Sequence, residues 1–200
     1  MMTQTHLLAA AALFARPGEP ARNGGIVAGA LLPDAAIYGL FAWSALAGVE
    51  GHAAWDRMYW SDGFQGVVSF GNSLFVWLAV LVSGFFLLRV PSLFRLALFV
   101  FFAAAAALLH LALDWPVHHS DAHAHLWPFS DWRFRSPVSY WDPRHHGQVF
   151  KFVEGALGVV LVFVVARRFR DAWVRAALAV LAAAYVVVPL YFAALPEGVH

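Results

Sequence analysis

His110 and Asp114 stand four residues apart near the end of an apolar run, residues 93–115, that is long enough to cross a bilayer. Residues with this spacing share one face of a helix, so an imidazole and a carboxylate can bind the same cation. An ionisable residue at membrane depth is costly and usually functional. The pair predicts a metal site at the end of a transmembrane helix. A simple His–Asp hydrogen bond, or an Asp that caps the helix, is the alternative interpretation.

A dense histidine cluster follows this pair directly. It comprises His118, His119, Asp121, His123 and His125. A tetrahedral zinc site has four ligands, so these residues cannot all bind one ion. His118 and His119 are nearest to Asp114 in sequence and are the preferred candidates, with His125 next. The alternative is a solvated loop that binds metal only opportunistically.

The composition is that of an integral membrane protein. Of the 200 residues, 62% are hydrophobic and 12% are charged, against about 25% charged in a soluble domain. The net charge of +1 gives no support for a nucleic-acid partner. Because the chain has no cysteine, any metal is held by His and carboxylate, which suits zinc, manganese or iron.

Five apolar runs are long enough to span a bilayer, which predicts an all-α, polytopic transmembrane helical bundle in a single domain, residues 1–200. The runs are 26–48, 67–88, 93–114, 149–166 and 172–195. A further apolar piece, Thr3–Phe14, would be only about 18 Å long at 1.5 Å per residue. We expect it to form a short N-terminal half-depth helix. A loop rich in His, Trp and Arg, residues 115–148, joins the third and fourth runs.

Arginine marks alternate connections between these runs. The residues are Arg16, Arg22, Arg89, Arg95, Arg167, Arg168, Arg170 and Arg175. The positive-inside rule places these connections in the cytoplasm and the loop 115–148 on the opposite side.

The rare polar residues of the predicted helices lie at similar depths. They are His6, Asp34, Asn72, His110 and Glu154. Counted from the cytoplasmic arginines, all lie roughly 15–25 Å into the membrane at 1.5 Å per residue. We therefore expect them to converge on one site. Pro33 is expected to kink its helix beside Asp34 and to free backbone groups there.

Three further residues are candidates for catalysis. Glu154 is predicted to be a ligand or a general acid/base for a bound water, and the alternative is an ion pair with Lys151 one turn earlier. Arg133 and Arg135 lie in an aromatic segment, and arginine is suited to bidentate binding of phosphate. An interfacial aromatic belt with arginine at the lipid head groups explains this segment equally well.

Several short motifs, taken in order, resemble the YdjM-like family of bacterial inner-membrane proteins, described as membrane-bound metal-dependent hydrolases. The motifs are Thr5-His6-Leu7-Leu8, Leu32-Pro33-Asp34, His110 with Asp114, Leu126-Trp127-Pro128 and Trp132-Arg133-Phe134-Arg135. The order of ligand types is also distantly similar to that of the zinc-dependent phospholipase C and nuclease superfamily.

The resemblance implies a specific ligand set and location. His6, Asp34, His110 and Asp114 would bind the metal, with His118 or His119 nearby, and Arg133 and Arg135 would lie near the substrate. The protein would be a multi-pass protein of the bacterial inner (cytoplasmic) membrane, with the His-rich loop facing the periplasm. The chain departs from the family at Asn72-Ser73, where a Thr-His-Ser segment is usual. Asn72, or His52 from the preceding loop, would have to replace the missing ligand.

Together these interpretations predict a membrane-bound hydrolase that uses a divalent metal, most simply zinc, to activate water against a phosphoester of a lipid or amphiphilic substrate. The main alternative is a non-catalytic integral-membrane subunit of a larger complex, with membrane-protein partners and a structural or vestigial metal site. Metal uptake or sensing by the loop histidines, and haem ligation by His110, are two others.

Overall fold

The computed structural model describes the backbone of residues 1–49 and 55–194, and the side chains of residues 1–49 and 57–190. Over these ranges the chain is helical and contains no β-strand, which confirms the predicted all-α fold. The helices are α1 (Thr3–Phe14), α2 (Pro20–Leu31), α3 (Ala35–Ala47), α4 (Asp62–Gly71), α5 (Leu74–Leu87), α6 (Phe94–Asp114), α7 (Gly147–Arg168) and α8 (Ala172–Ala194).

Five stretches are long and apolar enough to cross a membrane, as predicted. They are Pro20–Ala47, Asp62–Leu87, Pro91–Val117, Gly147–Arg168 and Ala172–Leu190. Several begin before the apolar run that predicted them, because a helix continues through polar residues once it has formed. The first starts at Pro20, and proline suits the first position of a helix, where its missing N–H costs nothing.

Two of the five stretches are interrupted. A 3₁₀ turn, Leu32–Asp34, separates α2 from α3, since Pro33 lacks the N–H that would continue the α-helix. Asn72 and Ser73 separate α4 from α5, and the Ser73 hydroxyl caps α5 by accepting a hydrogen bond from the Val76 amide at 3.2 Å. Both breaks leave backbone groups without α-helical partners.

The 12-residue helix α1 is too short to span a bilayer. It packs against α2, α6, α7 and α8. The core at this junction includes Leu8 from α1, Ile26 from α2, Ala106 from α6 and Val165 from α7. This arrangement places the N-terminal residues of the chain inside the bundle.

Small residues let α2 and α6 approach closely. A Cβ atom on Gly29 would lie 1.9 Å from the Ala103 carbonyl oxygen, and one on Gly25 would lie 2.2 Å from the Phe99 carbonyl oxygen. Glycines four residues apart form the flat face that permits such contact between membrane helices. The close packing brings the last turn of α2 against the end of α6, where His110 lies.

The loop after α6 folds back onto the second helix break, between α4 and α5. The Leu74 amide donates to the His125 carbonyl at 2.9 Å, and the Ser73 hydroxyl donates to the Trp127 carbonyl at 2.6 Å. Many large apolar side chains on the outer faces of the helices are exposed, among them Phe152 at 80%. Such faces suit contact with lipid.

Candidate metal centre

His6, His110 and Asp114 form a buried cluster where α1 meets the end of α6. Their candidate ligand atoms all lie within 4.8 Å of one another. The Nε2 atom of His6 lies 3.0 Å from Oδ1 of Asp114, and Nε2 of His110 lies 2.9 Å from Oδ2. The two imidazole rings stack, with centroids 3.7 Å apart. None of the three side chains is more than 2% exposed, so this cluster could hold a metal ion.

The hydrogen bonding of this cluster fits a bound cation. Although both Nε2 atoms are close to the Asp114 carboxylate, neither is aligned for a hydrogen bond with any group that the structure describes. Nδ1 of His6 also has no hydrogen-bond partner among the described groups. Buried polar atoms are rarely unsatisfied. Two imidazole nitrogens and a carboxylate around one point are the donor set that zinc, manganese or iron binds.

The tautomer of His110 is set by the break after α2. Its Nδ1 atom lies 2.9 Å from the Ala30 carbonyl oxygen and donates to it. Ala30 lies in the last turn of α2, where carbonyl groups lack α-helical partners. A neutral histidine that donates from Nδ1 presents a lone pair at Nε2, which is how metal-binding histidines are usually held.

Two more predicted ligands adjoin the cluster. Oδ2 of Asp34 lies 3.6 Å from Nε2 of His110 and accepts a hydrogen bond from the Tyr38 hydroxyl at 3.3 Å. His118 bridges two carboxylates, with Nε2 3.3 Å from Asp114 and Nδ1 3.0 Å from Asp121. The structure thus brings together the four ligands that the family resemblance implies, and His118 joins them.

The amino nitrogen of Met1 also enters the cluster. It contacts the Asp114 carboxylate and lies 3.3 Å from Nε2 of His118.

His119 lies in a different environment from His118. Its Nδ1 atom is 2.7 Å from the Ser136 carbonyl oxygen, and its ring stacks on His145 with centroids 3.6 Å apart. None of its described contacts is with His6, His110 or Asp114, so the structure does not bring this predicted ligand to the cluster.

Three of the loop histidines, His118, His123 and His125, are buried rather than solvated. Four loop side chains are at most 8% exposed: His118, Asp121, His123 and His125. Nδ1 of His125 lies 2.9 Å from the Asn72 carbonyl oxygen, at the second helix break. The sequence does not favour Asp121 or His123 over the other loop residues as metal ligands. It shows only that His and Asp are dense in this loop, and this density does not indicate how the loop folds.

Burial and charge set the protonation of the loop residues. Burial opposes the charging of His118, but the Asp114 carboxylate outweighs it and raises the pKa of His118 to about 9. Burial also disfavours charge on Asp121, yet the His118 hydrogen bond lowers its pKa to about 2. Burial, followed by repulsion from His118, lowers the pKa of His123 to about 3. The loop side of the cluster therefore combines an ion pair with a neutral imidazole.

Asn72 is the position at which the chain departs from the YdjM-like motif that it resembles, and its side chain links the turn after α2 to α4. Its Nδ2 atom donates to the Pro33 and Val68 carbonyls, each at 3.1 Å. Its Oδ1 atom is buried and has no described hydrogen-bond partner. His52, the other replacement considered, lies outside the described residues.

The predicted catalytic residues occupy three different environments. Glu154 is fully buried, and its Oε1 atom accepts hydrogen bonds from the Met2 amide at 2.8 Å and the Thr5 hydroxyl at 2.6 Å. No ion pair joins it to Lys151 among the described side chains. Arg133 donates to the Ala122 carbonyl at 3.1 Å and to Gln65 Oε1 at 3.0 Å. Arg135 is exposed, and no hydrogen bond or ion pair is seen for it within the described parts of the chain.

Comparisons of the chain with family models, curated protein sequences and solved structures gave no match.

Proposed function

We propose that the protein is a membrane-bound metal-dependent hydrolase that acts on a phosphoester of an amphiphilic substrate. The observation that carries this proposal is the buried His6, His110 and Asp114 cluster, whose Nε2 atoms have no aligned partner among the described groups. The order of the sequence motifs resembles the YdjM-like family and supports the same activity. The arginine asymmetry supports an inner-membrane location with the His-rich loop in the periplasm.

Each residue of the cluster has a definite part in this proposal. His6, His110 and Asp114 would hold a divalent ion, most simply zinc, with Asp34 and His118 beside them. When bound, such an ion supplies Lewis acidity that lowers the pKa of water toward neutrality. In hydrolysis the water oxygen forms a bond to phosphorus and the P–O bond to the alcohol breaks. The alcohol leaves with one of the two protons of the water.

Arg133 and Arg135 would have different roles, one structural and one in substrate binding. Two guanidinium nitrogens of Arg133 are engaged by Ala122 and Gln65, so this side chain fixes the loop. Arg135 is exposed and has no described partner. Its guanidinium is therefore the one available to bind a phosphate oxygen pair.

A first test measures the metal content of detergent-purified protein by mass spectrometry, beside hydrolysis of a chromogenic phosphodiester. The variant is His110→Ala/Asp114→Ala, and the matched control is His145→Ala, which removes a histidine outside the cluster. We expect a tightly bound ion and hydrolysis in the wild type and the control, and neither in the double variant. Gel filtration and circular dichroism check folding, and His6→Gln serves if the double variant does not fold. Wild-type protein without stoichiometric metal would overturn the proposal.

A non-catalytic membrane subunit with a structural metal is the second candidate function. Asn72 favours it, because the position where the family usually has a histidine is occupied by a residue that bonds two helix carbonyls. This alternative predicts bound metal, a lower melting temperature after chelation, and no hydrolysis of any phosphoester. Hydrolysis lost together with the metal would contradict it.

A further inference from the structure

A groove of about 580 Å³ runs between α7 and α8. Its walls are mainly apolar and include Phe152, Val159, Val162, Val186 and Pro189. This volume lies within the range of small-molecule sites, about 300–1,000 Å³. Because α7 and α8 are both long and apolar enough to span a membrane, the groove would face acyl chains in a bilayer.

The groove is polar at one end only. Gln148 and Lys151 line it near the start of α7. Lys151 has no ion-pair partner among the side chains that the structure describes. From Lys151 to Val162 the helix rises about 16 Å at 1.5 Å per residue, and one leaflet of a bilayer core is about 15 Å thick. The groove therefore extends from a cation at one membrane surface to about mid-membrane.

Hydrogen bonds link the groove to the metal centre. Tyr185 and Met2 both line the groove. The Tyr185 hydroxyl lies 2.8 Å from the Thr5 hydroxyl, which in turn donates to Glu154. The Met2 amide donates to the same carboxylate oxygen. Since His6 follows Thr5 directly, the N-terminal segment that contributes Met2 to the groove also carries a candidate metal ligand.

We propose that this groove binds the acyl chain of a single-chain lipid phosphate, with its head group at Lys151. The apolar walls match the chain, the length matches one leaflet, and the unpaired ammonium selects an anionic head group. That this lipid is the substrate rests on the proposed function, whereas its binding does not.

The test uses a long-chain monoalkyl phosphate that carries a diazirine on the chain, incorporated in nanodiscs with the full-length protein. After illumination, peptide mass spectrometry locates the labelled residues. We expect labels on α7 and α8, and weaker labelling by the uncharged alcohol of the same chain. Equal labelling by the alcohol and the phosphate would overturn the role of Lys151.

Two leucine variants distinguish lipid binding in the groove from non-specific contact with lipid. A Cβ atom on Gly155 meets no atom within 4 Å, so Gly155→Leu fits without a clash and fills part of the groove. Gly66 in α4 is equally open and lies outside the groove, which makes Gly66→Leu the control. We expect the leucine side chain to exclude about two methylene groups of the lipid chain from the groove. Because each contributes about 0.8 kcal/mol, labelling of Gly155→Leu should fall about tenfold. Gly66→Leu should label like the wild type.

The same measurement distinguishes the two proposals. Lys151→Gln should remove the preference for the phosphate over the alcohol. Labelling should persist in His110→Ala/Asp114→Ala, because the groove does not require the metal. If the wild type hydrolyses no phosphoester but labels in the groove, the proposed function fails and the lipid site stands. If Gly155→Leu labels as strongly as the wild type, the lipid site is refuted whatever the hydrolysis shows.

Discussion

The Nδ1 atom of His110 donates to the carbonyl oxygen of Ala30 at 2.9 Å, directly before the turn that Pro33 imposes on the chain. The same arrangement occurs at the second helix break, where Nδ1 of His125 lies 2.9 Å from the Asn72 carbonyl oxygen. In both cases an interrupted helix supplies a carbonyl group that an intact helix would use itself. The two breaks thus fix the tautomers of two buried histidines.

The close approach of α2 and α6 should be necessary for this arrangement. A Cβ atom on Gly29 would lie 1.9 Å from the Ala103 carbonyl oxygen, so Gly29→Ala forces the helices apart. We expect it to lower the free energy of unfolding by about 1–3 kcal/mol, as overpacking does, and to weaken metal binding. Thermal unfolding in detergent and metal titration measure the two effects.

The control for this prediction lies in the same helix. A Cβ atom on Gly24 would meet the Phe99 ring at 3.6 Å, an ordinary contact. Gly24→Ala should therefore leave stability unchanged or raise it by up to about 1 kcal/mol through helix propensity. Equal stability of the two variants would show that the helices do not approach as described.

Substitutions of Asn72 test whether its side chain links two segments of the backbone or binds metal. Its Nδ2 atom donates to two backbone carbonyls, so Asn72→Asp would place a buried carboxylate against them. We expect Asn72→Asp to lower the melting temperature more than Asn72→Ala, because an unpaired buried charge costs more than a lost hydrogen bond. If Asn72 instead binds metal through Oδ1, the aspartate should bind it more tightly, and a higher metal affinity would contradict our assignment.

Much of the fold was predictable because its signals are local. Apolar run length gave the five spans and the short helix α1, and Pro33 marked the break after α2. Depth along the helices predicted that five polar residues converge on one site: His6, Asp34, Asn72, His110 and Glu154. His6, Asp34 and His110 lie together. The described side-chain bonds of Asn72 are with Pro33 and Val68, and Glu154 contacts Thr5, the neighbour of His6.

The path of the loop was not predictable, because it depends on contacts distant in sequence. His118 and His119 are adjacent residues of the same type. Among the described contacts, however, only those of His118 include Asp114. Arg133 in the loop is held by Gln65 of α4, a partner that no local pattern indicates. The role of Asn72 depends equally on Pro33, which is 39 residues away in sequence.

Glu154 is expected to position His6 through the N-terminal segment. Its Oε1 atom accepts from the Met2 amide and the Thr5 hydroxyl. Glu154→Ala leaves the Met2 amide without its acceptor and leaves the Thr5 hydroxyl with Tyr185 as its remaining partner, which should cost about 1–3 kcal/mol of stability and weaken metal binding. Glu154→Gln keeps an oxygen acceptor and should restore both properties as well as hydrolysis. A Gln variant with full metal content but a rate lowered by about 10²-fold or more would instead indicate proton transfer by Glu154.

His118 and His119 allow the ligand set to be tested with adjacent residues of the same type. His118 contacts Asp114 at 3.3 Å and Asp121 at 3.0 Å, whereas His119 contacts Ser136 and His145. We expect His118→Ala to weaken metal binding by about 10- to 100-fold, the usual effect of removing a residue that supports a metal site. His119→Ala should bind metal like the wild type. Isothermal titration of metal-stripped protein measures both affinities, and an equal loss in the two variants would place the metal among the loop histidines rather than at His6, His110 and Asp114.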